Sequence, residues 1–80
     1  MPVYGTNTKK RPEEVVAQAK AYFGQRGLGL ELTRENRCCV TLQGGGGYVT
    51  ISASEDGGRT DVELETREWD YHVKQFMAEV

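Results

Sequence analysis

One histidine, two cysteines and one tryptophan among 80 residues leave few groups for catalysis or metal binding. A zinc site draws four ligands from spaced Cys and His positions. Here the only candidates are His72 and the adjacent pair Cys38 and Cys39. Basic charge is also scarce: the net charge is −2, without the excess a dedicated nucleic-acid binder carries. No apolar run approaches the roughly 20 residues that span a bilayer. The opening MPVYGTNTKKR lacks the apolar centre of a secretory signal. A soluble cytoplasmic protein with no membrane contact is therefore expected.

The cysteines support a reducing compartment. Neighbouring Cα atoms lie about 3.8 Å apart, below the roughly 4.4–6.8 Å of ordinary disulfides. In a strand the two thiols would also point to opposite faces. An ordinary intrachain disulfide is excluded, as fits an intracellular chain.

What the chain does have is pattern. Residues 1–11 read as a polar, flexible N-terminal arm, and residues 12–80 as one α+β domain. RPEEVVAQAKAYFGQRG opens with Pro12 at a first helical position and Glu13 and Glu14 in the first turn. Val15, Val16, Ala19, Tyr22 and Phe23 make one apolar stripe, with Gly27 the expected end and Gly24 an earlier one. A second stripe, Trp69, Val73, Phe76, Met77 and Val80, marks a closing helix with Thr66 as its N-cap.

Between them run four segments of period-2 alternation. The inward sets are Leu28, Leu30 and Leu32; Cys38, Val40 and Leu42; Val49, Ile51 and Ala53; and Val62 and Leu64. The opposite phase is polar, as in antiparallel sheets with one wet face. Pairing Leu30 with Val40 leaves Arg34–Asn36 as a loop, with Asn36 left-handed. Pairing Leu42 with Val49 leaves Gly44–Gly47 as a four-residue loop, and pairing Ile51 with Val62 leaves an Asp56-Gly57 turn. The expected fold is an α-β-β-β-β-α two-layer sandwich: a four-stranded antiparallel meander with both helices on one face.

Gly44, Gly45, Gly46 and Gly47 invite comparison with a phosphate loop. Such a loop leads into a helix and carries GK[ST], whereas YVTISAS follows here and alternates like a strand. The glycines therefore read as a flexible hairpin tip. Cys39 on the open face and His72 on a helix are poorly placed for a dyad. Cys39 retains a possible role as a redox handle or intermolecular disulfide. Asp61, Glu63 and Glu65 line one strand about 6.7 Å apart, too widely for a compact metal site, and suit an edge guarded against aggregation. Lys9, Lys10 and Arg11 offer a possible anion contact, or simply a solvated arm. No catalytic residue, metal or cofactor is expected.

The uncovered face remains, with Thr41 beside Thr50, Cys39 beside Ser52, and Tyr48 near Gln43 and Glu65. These residues are the expected contact set of a small, non-catalytic protein-interaction module that binds a protein partner or a second copy of itself. The alternative is a small-ligand or nucleic-acid binding domain using the same face and the basic arm. Nucleic acid is the less expected partner, because base stacking needs several sheet aromatics and only Tyr48 is present.

Overall fold

The structure, a computed structural model, describes residues 3–80. The elements are β1 (Val3–Thr8), α1 (Pro12–Phe23), β2 (Glu31–Glu35), β3 (Cys39–Gly44), β4 (Gly47–Asp56), β5 (Arg59–Arg67) and α2 (Asp70–Glu79). They form an α+β fold around one five-stranded antiparallel sheet of order β1-β5-β4-β3-β2. Among the described residues no helix is long and apolar enough to cross a membrane.

Five strands replace the four expected. The additional one lies in the segment read as a polar arm: Val3–Thr8 pairs with β5 without interruption, from Val3↔Glu65 to Thr8↔Thr60. Met1 and Pro2, the start of that arm, lie outside the described residues. Side-chain anchors hold β1 to distant parts of the chain. The Tyr4 hydroxyl donates to Asp70 at 2.7 Å, the Thr8 hydroxyl donates to the Val80 carbonyl at 3.0 Å, and Arg59 donates to Asn7 through two nitrogens.

The core follows the expected stripes except at Leu32, which was expected inward and is exposed. Val15, Val16, Ala19 and Phe23 of α1 join Val73 and Phe76 of α2 and the inward set Leu30, Val40, Leu42, Val49, Ile51, Ala53, Val62 and Leu64 in one cluster. Phe23 and Phe76 meet with ring centroids 5.5 Å apart. The buried threonines keep their hydroxyls paired, Thr60 donating to the Lys10 carbonyl and Thr66 to the Tyr48 carbonyl.

Element ends and registers depart from expectation in several places. Helix α1 closes at Gly24, whose N–H donates to the Lys20 carbonyl, rather than at Gly27. Thr66 is a strand residue and not a cap, and α2 begins after Trp69. The β4–β5 pairing is Ile51↔Leu64, two residues from the expected Ile51↔Val62, so the turn is Gly57-Gly58. Both central residues of a type I′ turn need positive φ; Gly57 has 59° and Gly58 85°, a condition Asp56 meets less readily.

The Leu42↔Val49 and Val40↔Ile51 pairs stand as expected, but the ladder continues to Gly44↔Gly47. Only Gly45 and Gly46 make the turn, with φ of 59° and 81°. In β2 Leu32 pairs with Leu42, four residues from the expected Cys38, and the register then slips before Arg34↔Thr41, so neither Leu30↔Val40 nor Leu32↔Cys38 forms. Asn36 is not left-handed; Glu68, φ 75°, is the one non-glycine of positive φ among the described residues. Asn36 instead turns the chain with its side chain, its Oδ1 accepting the N–H groups of Cys38 and Cys39. Cys38 sits exposed in that loop rather than in the core.

Candidate functional site

The outward rows of the sheet are set by the antiparallel register, because directly paired residues share a face. Cys39↔Ser52, Thr41↔Thr50 and Gln43↔Tyr48 link β3 to β4, and Thr50↔Glu65 and Ser52↔Glu63 continue the rows into β5. The five expected contact residues, Cys39, Thr41, Tyr48, Thr50 and Ser52, are all half-buried and lie together on two adjacent strands. Thr41 and Thr50 share a hydroxyl hydrogen bond of 3.0 Å, so each satisfies the other at the middle of the face.

Around this centre the rows become charged. Asp61, Glu63 and Glu65 line β5, and Gly5 of β1 stands opposite Glu63 with no side chain to cover it. Two arginines that the alternation did not place there join the face. Arg67 pairs with Tyr48 because β5 runs past Thr66. Arg34 pairs with Thr41 because the irregularity around Thr33 changes which β2 side chains point outward. Extending the β5 period to Arg67 could have revealed the first; nothing in the local sequence announces the second.

Three shallow depressions lie along this surface. One runs over Gly5, Ser52, Ser54, Asp61 and Glu63. Another involves Arg34, Thr41, Tyr48 and Thr50, and a third Glu31, Tyr48, Arg67 and the glycine hairpin.

Tyr48 is the large side chain of the centre and is held in place. Its hydroxyl donates to Glu65 Oε2 at 2.6 Å. That bond, with a smaller contribution from desolvation, raises the phenol above its ordinary value near 10. The hydrogen bond to Asp70 raises Tyr4 in the same direction. A phenol raised on folding stabilises the native state fully below its unfolded pKa, and the contribution fades as pH climbs through the folded value. The stability advantage of wild type over Tyr48→Phe should therefore hold at neutral pH and shrink above about pH 10. Thermal melts of both proteins from pH 7 to pH 11 check this; a constant difference across that range would contradict it.

The basic arm lies apart from this centre. Lys9, Lys10 and Arg11 link β1 to α1, with β5 and β4 between β1 and the Cys39 strand. Two of the three have local tasks: Lys10 Nζ donates to Gln18, and the Arg11 N–H donates to Glu14 at the start of α1. The hairpin at Gly44–Gly47 is tied down by Trp69, whose indole N–H donates to the Gly44 carbonyl at 2.9 Å. His72 lies against Trp69 and Tyr71 on α2. The cysteines hydrogen-bond to Asn36 and to each other. Among the described residues no group of three or more His, Cys, Asp or Glu side chains is arranged to hold a metal ion.

These features define an α+β sheet protein with a small-residue surface edged by charge. No protein-family model matches the chain, and no curated protein matches it closely.

Proposed function

We propose that this chain is a small, non-catalytic protein-interaction module of the cytoplasm. In this reading both helices cover one face of the sheet in a two-layer sandwich, and the other face docks a partner protein or a second copy of the chain. The observation that carries it is the central patch of Thr41, Thr50, Ser52 and Cys39: short, half-buried side chains whose two threonine hydroxyls already satisfy each other. Such a patch gives up little hydration when covered, because the polar groups hardest to desolvate sit at its margin. Asp61, Glu63 and Glu65 on one side and Arg34 and Arg67 at the flanks would set orientation and partner choice. Two free cysteines suit a reducing setting. The acidic β5 row weighs against a nucleic-acid backbone as the occupant.

Sedimentation equilibrium in reducing buffer, from micromolar to near-millimolar protein, separates the two occupants. A dimer that persists at high salt identifies the second copy, and a monomer throughout leaves a different protein as the partner. Thr50→Arg places a charge at the middle of the patch and should abolish either association. The substitution also removes the hydrogen bond to Thr41, a loss of about 1 kcal/mol, so a thermal melt confirms that the variant is folded. Association unaffected by Thr50→Arg would refute the docking surface.

A further inference from the structure

The adjacent cysteines do not behave as the two opposed thiols of a strand. Cys39 is the first residue of β3, whereas Cys38 belongs to the loop before it, and strand alternation does not extend across the pair. Their sulfurs lie on the same side of the chain, 2.9 Å apart. Several contacts fix that arrangement. Asn36 Oδ1 accepts the Cys38 N–H at 3.2 Å and the Cys39 N–H at 2.9 Å, and it also lies 3.6 Å from Cys38 Sγ. The Cys38 carbonyl accepts the Ala53 N–H at 2.8 Å, which fastens the pair to β4. Both thiols are free, and Cys38 is exposed.

We infer that Cys38 and Cys39 form a bidentate site for one trivalent arsenic centre. Soft sulfur donors select soft acceptors. Arsenic(III) is pyramidal, with bond angles near a right angle, so it accepts two sulfurs that sit side by side. A linear dithiolate metal such as mercury(II) needs its sulfurs on opposite sides. Tetrahedral zinc, with Zn–S of about 2.3 Å, needs four ligands. No third His, Cys, Asp or Glu completes such a set among the described residues. The reaction with an organoarsenic(III) oxide is a condensation. Each thiol gives its proton to the arsenic-bound oxygen, two S–As bonds form as the As–O bonds break, and one water leaves. Arsenic stays trivalent and sulfur is not oxidised. The loop is already ordered, so the second S–As bond closes a ring without further chain ordering.

Phenylarsine oxide is the probe. Intact-mass measurement on the reduced full chain should give one adduct per molecule, heavier by the reagent less one water. The adduct should survive excess 2-mercaptoethanol and be removed by dithiothreitol. Cys38→Ser and Cys39→Ser should each bind roughly a hundredfold more weakly, with an adduct that the monothiol strips, because only one S–As bond remains. Asn36→Ala keeps both thiols but loses their clamp and should fall between wild type and the serine variants. Thermal melts confirm that each variant is folded. A wild-type adduct stripped by 2-mercaptoethanol, two reagents bound per chain, or serine variants that bind as tightly as wild type would each overturn the site.

Discussion

Gly47→Ala should cost about 3 kcal/mol or more, a large share of the stability of a domain this size. A Cβ at this position would lie 2.0 Å from the Arg67 carbonyl oxygen and 2.7 Å from Glu68 Cβ. The obstacle is mainly backbone, at the corner where β5 leaves the sheet to enter α2. That corner is already constrained, since Glu68 holds a φ of 75°. Room for a methyl group could come only by lifting the corner off β4. This would disturb the Tyr48↔Arg67 pair and the Trp69 hydrogen bond to the Gly44 carbonyl.

Gly46→Ala, one residue earlier, is the control. Nothing lies within 4 Å of where its methyl group would stand, so only the strain of a φ of 81° remains, about 1 kcal/mol. Urea titrations of the two variants should place Gly47→Ala far below Gly46→Ala. Similar midpoints would mean that the corner yields easily.

The same comparison explains what the run of four glycines is for. Read locally, Gly44–Gly47 is a tip with two more glycines than a turn requires. The surplus arises from contacts that sequence proximity does not reveal: Gly47 lies under Arg67, and Gly44 meets Leu30 and receives the Trp69 indole. Other departures have similar origins. VYGTNT contains one large apolar residue per face at most and no hydrophobic period, so it resembles an arm; its strand character comes from β5, Asp70 and Val80, more than fifty residues away.

Alternation determined the faces of β3, β4 and β5 because burial repeats every second residue. It could not determine register, since sliding β4 by two residues against β5 keeps every side chain on its face. The Gly57-Gly58 turn decides that choice. Near Thr33, where the ladder is irregular, even the face was illegible, and Arg34 was missed as a result. Which residues of β3, β4 and β5 face outward was legible because that depends on parity alone. The cysteine pair was not, because its geometry depends on where β3 begins.

Phe76→Ala should be the most damaging core truncation, at about 3–5 kcal/mol. Phe76 is fully buried and lies at the seam between the helices, its ring centroid 5.5 Å from that of Phe23 and 5.6 Å from that of Tyr22. Truncation removes the buried ring and leaves a cavity that neighbouring groups cannot easily fill. Phe23 also packs on Tyr22, its ring centroid 4.9 Å away, and the inward strand residues beneath are held by the ladder. Domains of this size have little stability in reserve, roughly 4–12 kcal/mol at typical values per residue. At about 4–8 °C per kcal/mol for a domain of this size, a loss of this size should lower the thermal midpoint by about 12–40 °C.

Phe76→Leu retains most of the volume and should keep a cooperative transition at a lower midpoint. The pair also tests the architecture. The α2 helix has only Val73 and Phe76 fully buried, with Trp69, Met77 and Val80 packed at the margin. Losing Phe76 should therefore release α2 first. Hydrogen exchange should then show the α2 amides of the Leu variant exchanging well before those of β4, the central strand of the five. Simultaneous loss of protection in α2 and β4 would instead show that the helix and sheet unfold as one unit.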